Sequence, residues 1–191
     1  QITEHTQKLV GGLDVLVGIA TAEQAAGLTW LWEPLGLALD AMPGMDVLAD
    51  CGRLGSYPGI YDLIAQAPLT VLFTRPRLDQ VAHMRERFVA LGRTLAERGK
   101  KAQLGVAVIA EQKEYGRALG EIRRVMSAAG MPDAVLGGLA YDVKGAELLR
   151  GEWGGRLERT LLIRSARHLA ATLAERIAGH VNPLQTVRRG S

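Results

Sequence analysis

Asp46-Val47-Leu48-Ala49-Asp50-Cys51-Gly52-Arg53 is a short apolar run that ends on a carboxylate and then a glycine. Bounded by Pro43-Gly44 before it and by Gly52 and Gly55 after it, the run has the length and continuous apolar character of a parallel strand buried on both faces. Asp50 then stands at the carboxyl end of that strand. In open α/β sheets the carboxyl ends of the strands are where ligands bind, and an acid placed there can orient a metal-bound water or a nucleophile. Gly52 lets the backbone approach a ligand closely. The plainer reading of the same residues is an aspartate whose side chain caps the following turn. Both readings stand at this point.

The chain around this run has 191 residues, 48% of them hydrophobic, enough to bury a sizeable core in one domain over residues 1–180 with a tail over 181–191. A net charge of +3 permits contact with nucleic acid or an acidic surface without requiring it. The single cysteine, Cys51, excludes an internal disulfide framework and a cysteine-based zinc site, which fits a cytoplasmic location. No apolar run approaches the length of a membrane span, and no signal peptide is visible.

Working outward, Leu13 to Val17 reads as a first strand after Gly11-Gly12, and Thr21-Ala22-Glu23-Gln24 has the spacing of a helix capping box. The helix that follows carries Ala25, Leu28, Leu31 and Trp32 inward, and Pro34 kinks it or ends its first section. Pro58-Gly59-Ile60 opens a short helix through Ala67. Leu69 to Thr74 is the next strand, punctuated by Arg75-Pro76. A long helix spans Leu78 to Arg98, with Val81, Met84, Phe88, Leu91 and Leu95 on one face and Gly99-Lys100-Lys101 at its end. The strand Leu104 to Ile109, a helix from Tyr115 to Ala129, a strand from Ala134 to Ala140, a helix from Val143 to Leu149 and a long helix from Leu157 to Ala178 complete the chain. Five strands alternating with helices specify a three-layer α/β/α fold around a mainly parallel sheet, with right-handed crossovers.

The strand-ending Asp50, the Thr74-Arg75-Pro76 turn, the Gly105 to Ile109 strand, the Leu139-Ala140-Tyr141-Asp142 turn and the final Leu/Ala-rich helix occur in an order that resembles the ParA/MinD family of deviant-Walker P-loop ATPases, over nearly the whole chain. The resemblance implies a P-loop NTPase-like fold and a cytoplasmic, nucleotide-dependent homodimer. Such a dimer takes part in chromosome partitioning or the positioning of a cell-envelope machine. ATP and Mg²⁺ are the implied cofactors and a partner protein of the positioning system is implied as well. In that correspondence Asp50 is the Walker B acid, close to Mg²⁺ through water, and Gly52 is the switch glycine that moves with Arg53 on hydrolysis. Arg75 and Pro76 fall in the family's Thr-x-Pro turn. Tyr141 and Asp142 fall in the turn beside the adenine base, with Ala140 in place of the family's proline.

Two departures accompany the resemblance. Gly11-Gly12 has no following Gly-Lys-Ser/Thr and precedes a strand, so it is not a phosphate loop. Ala110, Glu111 and Gln112 stand where the family often places a base-binding asparagine. The expectation is therefore that a strand and phosphate loop lie upstream of Gln1. The competing expectation is an adaptor that keeps the fold and has lost nucleotide binding. A flavodoxin-like receiver is the third reading, for which Asp50 has only Asp142 as an acidic companion.

The remaining polar candidates carry less. His5, His83, His168 and His180 show no ligand spacing, and Ser56, Ser127 and Ser165 lack a nucleophile-elbow motif. Cys51 adjoins Asp50, whose charge disfavours a thiolate. Wound at 100° per residue, the last helix gathers Arg156, Arg159, Arg164 and Arg167 on one arc opposite Leu162, Ala166, Leu169, Leu173 and Ile177. The arc is a solvated basic face or, as the resemblance implies, a surface for non-specific DNA contact. The stretch from Leu184 to Ser191 has too few apolar residues for an amphipathic membrane anchor. Trp30 or Trp32 is expected in the core, and Trp153 at the surface.

Overall fold

The computed structural model describes residues 2–9, 12–19, 21, 24, 27–53, 59–99, 103–151 and 156–181. Gly11, Ala25, Gly55, Ser56, Pro58, Lys100, Lys101, Trp153 and the tail over 182–191 lie outside the described residues. The chain divides into two compact units, Gln1–Leu63 and Ile64–Ser191.

In the first unit a 3-10 turn over Ile2–His5 leads into β1 (Thr6–Lys8), which pairs antiparallel with β2 (Asp14–Leu16) in the register Thr6↔Leu16, Gln7↔Val15, Lys8↔Asp14. The hairpin is closed by Leu9 N donating to the Leu13 carbonyl at 2.8 Å and Gly12 N donating to the Leu9 carbonyl at 3.1 Å. The expected first strand is thus real, but its partner is the antiparallel β1 and not a parallel sheet. Gln24 N donates to Thr21 Oγ1 at 3.3 Å, the threonine bond of the anticipated capping box. A 3-10 turn over Thr29–Leu31 then precedes α1 (Trp32–Asp40). Pro34 sits in the first turn of α1, where a missing N–H has no intrahelical acceptor to lose. Trp32 is buried at 8% exposure, whereas Trp30 is 71% exposed.

The expected strand over residues 46–50 is absent. Its residues form no ladder with either sheet, all five are exposed, and Leu48 reaches 92% exposure. Apolar content sets a preference for a pleated, half-buried surface, but a strand exists only where a neighbour accepts and donates its backbone hydrogen bonds.

The second unit follows the short helix α2 (Ile60–Ile64) in sequence. It consists of β3 (Leu69–Thr74), α3 (Leu78–Glu97), β4 (Gln103–Ala110), α4 (Tyr115–Ala128), β5 (Val135–Ala140), α5 (Val143–Leu149), a 3-10 turn over Leu157–Arg159 and α6 (Leu161–Val181). The strands form a parallel sheet in the order β3-β4-β5. The anticipated mixed α/β class holds, with three parallel strands among the described residues where five were expected.

β4 is central because its sequence, Gln-Leu-Gly-Val-Ala-Val-Ile-Ala, is apolar on both faces; Val106, Ala107 and Val108 have no exposed surface. Val106, Val108 and Ala110 pack against Met84 and Phe88 of α3 and Ala118, Leu119, Ile122 and Met126 of α4. Gly137, paired with Ala107 and so on the opposite face, lies under Leu169 of α6. Helices therefore cover both faces of the sheet. A bulge at Leu136 shifts the β4–β5 register, and the Leu136 side chain fills the space above Gly105, which has no Cβ to oppose it. α4 ends in a Schellman motif: Gly130 N donates to Ser127 O and Met131 N to Met126 O at 2.9 Å each, with Gly130 at φ +79°.

Candidate functional site

Parallel topology brings the carboxyl ends of β3, β4 and β5 to one rim of the second unit. Adjacent strands lie about 4.8 Å apart, so side chains from β3 and β5 must span roughly 9.6 Å to meet across β4. Arg75 and Tyr141 do so. The Arg75 guanidinium carbon lies 4.7 Å from the centroid of the Tyr141 ring, over its face. Ala110, at the end of β4, is small and buried, and leaves the span open. Its carbonyl accepts Tyr141 N at 2.8 Å, which carries the β4–β5 ladder one residue further.

Local chemistry aims both residues. Pro76 lies within a tight turn in which Arg77 N donates to the Arg75 carbonyl at 2.8 Å, and Arg75 N donates to Gln80 Oε1 at 3.3 Å. The Thr74 hydroxyl, buried at 5% exposure, donates to the Arg75 carbonyl at 3.2 Å. Tyr141 remains 45% exposed, so one ring face carries the cation while the ring is still reachable from solvent. Of the residues expected at the rim, Arg75 and Tyr141 are brought into contact; Pro76 and Asp142 adjoin them in the chain.

Asp142 does something that its position in the sequence only half reveals. Its Oδ1 accepts Gly145 N at 2.9 Å, capping α5, while Oδ2 accepts Leu161 N at 3.0 Å and Leu162 N at 3.2 Å, capping α6. The amide of Gly145, followed by those of Leu162 and Leu161 and the charge of Lys144, holds this carboxyl below its ordinary range against an opposing cost of burial. An aspartate three residues before a helical Gly145 is a legible N-cap. The reach of 19 and 20 residues to Leu161 and Leu162 is not.

Asp50 belongs to the other unit. Its Oδ1 accepts Gly52 N at 2.8 Å, and Gly52 takes φ +62°, a left-handed conformation that favours glycine. This is the turn-capping arrangement. Arg53 follows, exposed. The Cys51 thiol is pushed up, first by burial and then by the Asp50 charge, as the adjacency suggested. Gly12 closes the β1–β2 hairpin. Among the described residues no three His, Cys, Asp or Glu side chains gather in a metal-holding group.

The basic arc needs correction. A single helix from 157 does not form, because Thr160 is extended (φ −67°, ψ 154°) and its hydroxyl caps Ile163 N at 3.2 Å. Arg156 and Arg159 belong to the 3-10 turn before that break, and Arg164 and Arg167 lie one turn apart on the exposed side of α6. All four are exposed. The apolar stripe is as expected, with Leu169 buried and Leu162, Ala166, Leu173 and Ile177 partly buried.

No helix among the described residues is long and apolar enough to cross a membrane. The chain matches no protein-family model and no curated protein sequence.

Proposed function

We propose that this chain is a MinD/ParA-like ATPase domain that acts as a nucleotide-dependent dimeric switch in positioning or partitioning DNA or a cell-envelope machine. The observation that carries the reading is the Arg75–Tyr141 pair, 4.7 Å apart at the carboxyl-end rim of a parallel sheet. A half-exposed ring at this rim is suited to stacking against a base, in the place where open α/β sheets bind their ligands.

The fit to ATP and Mg²⁺ is one-sided. The rim suits the nucleoside end. For the phosphates, Gly12 is taken up by a hairpin, both Asp142 oxygens are committed to backbone amides, and no described segment is a glycine-rich cradle. The described residues do not fit a magnesium triphosphate, and no hydrolytic step is derived from them. That mismatch favours a second reading, a non-catalytic adaptor that keeps the fold without the nucleotide. Under either reading, the exposed Arg156, Arg159, Arg164 and Arg167 suit a DNA backbone contact that weakens steeply with salt.

Calorimetric titration of Mg²⁺-ATP separates the two. The switch reading expects binding that Tyr141→Ala weakens by about tenfold, the loss of one base-stacking contact. Absence of binding by the unsubstituted chain overturns it in favour of the adaptor.

A further inference from the structure

The rim and α6 are tied together at Ala140 and Asp142, the residues on either side of Tyr141. Ala140 N donates to Ser165 Oγ at 2.9 Å, and that hydroxyl donates in turn to Leu162 O at 2.9 Å. Tyr141 carries Arg75 on its ring. Asp142 grips Leu161 N and Leu162 N with one oxygen and Gly145 N with the other. The packing leaves no slack, since a Cβ on Gly145 would stand 2.7 Å from Asp142 Oδ2 and 3.1 Å from Leu162 Cβ. Residue 141 therefore cannot shift along the rim without pulling on 140, which is bonded to Ser165 in the second turn of α6, or on 142, which is bonded to its first turn.

We propose that Asp142 is a positioning residue that latches the first turn of α6 to the Arg75–Tyr141 pair, so that separation of that pair at the rim is transmitted to the N-terminus of α6. The inference rests on the reading above only in taking the rim as the place a ligand would enter. What it adds is a route from the rim to α6, the helix that bears Arg164 and Arg167. The carboxylate suits the task because it has two acceptor oxygens and spends one on each helix. An asparagine has one carbonyl oxygen, and its NH₂ group would face amide donors, so it can hold one helix and not both.

The test is amide hydrogen exchange, resolved by residue, in the unsubstituted chain, Arg75→Ala, Asp142→Ala and the double variant, with no nucleotide present; alanine removes both acceptors, so neither helix keeps its hold. Arg75→Ala is expected to speed exchange at Leu161 and Leu162 by roughly fivefold, the lower end of ordinary coupling factors, and to add nothing in the Asp142→Ala background. An unchanged rate in Arg75→Ala, or an equal change in both backgrounds, overturns the latch. Should Asp142→Ala fail to fold, the contrast within Arg75→Ala decides. Leu161 and Leu162 are held by Asp142 and should respond, whereas Ile163, held by Thr160 Oγ1, should respond less; an equal change at all three overturns the proposal. Because no nucleotide enters the experiment, a failure to bind ATP leaves this test intact.

Discussion

Asp142→Ala strips the caps from two helices at once, and the size of the effect follows from the contacts. Three backbone amides lose a charged acceptor: Gly145 in α5 and Leu161 and Leu162 in α6. Loss of one N-cap costs about 0.5–2 kcal/mol, so two caps together give about 1–4 kcal/mol. The lower part of that range is set by solvent, which reaches the site and can replace part of what is lost. In urea, with a slope of about 1–3 kcal/mol per molar, the unfolding midpoint should fall by roughly 1 M. The effect also has a definite pH dependence. The amides of Gly145, Leu162 and Leu161 lower the folded-state pKa, so the unfolded state binds the proton more readily. The stabilisation is then fully present above the unfolded value of about 3.9 and is lost as the pH falls through the folded value. Urea titrations at pH 7 and at descending acid pH should therefore show the gap between the unsubstituted chain and Asp142→Ala closing on the acid side. A difference at pH 7 below about 0.5 kcal/mol, the noise of an ordinary surface substitution, or a gap that persists through the acid range, would refute the double-cap reasoning.

Three further expectations follow from packing and charge. Gly138→Ala places a methyl group against the backbone carbonyl of Val108, which cannot swing aside, whereas Gly105→Ala meets the Leu136 side chain, which can turn to another rotamer; denaturant melts should show a cost of about 3 kcal/mol or more for the first and about 1–2 kcal/mol for the second. Met126 is fully buried between α4 and the sheet, so Met126→Ala should cost about 2–5 kcal/mol, while Leu78→Lys, at a position 90% exposed, should stay within about 0.5 kcal/mol. Cys51, whose thiol is pushed up by burial and then by Asp50, should react with iodoacetamide more slowly at pH 8 than an unhindered thiol, and Asp50→Asn should raise that rate; no change on substitution would remove the charge from the explanation.

The elements of the second unit were largely legible because their signals are local. Met84, Phe88, Leu91 and Leu95 recur at helical spacing and are buried. The apolar runs of β3, β4 and β5 lie between turn residues, and Gly99 and Gly130 mark where α3 and α4 end. The stretch over 46–50 carried the same local signal and is not a strand, because burial and ladder pairing come from a neighbour that no pattern within the stretch supplies. The hairpin of β1 with β2 escaped for a related reason: Thr-Gln-Lys has no apolar alternation to announce a strand. At the rim, Arg75, Tyr141 and Asp142 could each be singled out by their place after a strand. Ser165, Thr160 and Gly145 could not be, since their roles exist only once α6 returns to the end of β5.

What the amino-acid sequence determined by itself is the α/β class, the second unit's alternation of strands and helices, the inward faces of α3 and α6, and the candidate residues at the strand ends. These depend on periodicity, caps and breakers, which act over a few residues and carry their physics with them. What only the tertiary structure decided is which strands pair, that Arg75 meets Tyr141 across β4, and that one carboxylate caps two helices. Those facts depend on contacts between residues tens of positions apart, whose energies are realised only when the chain closes on itself, and no local pattern encodes them.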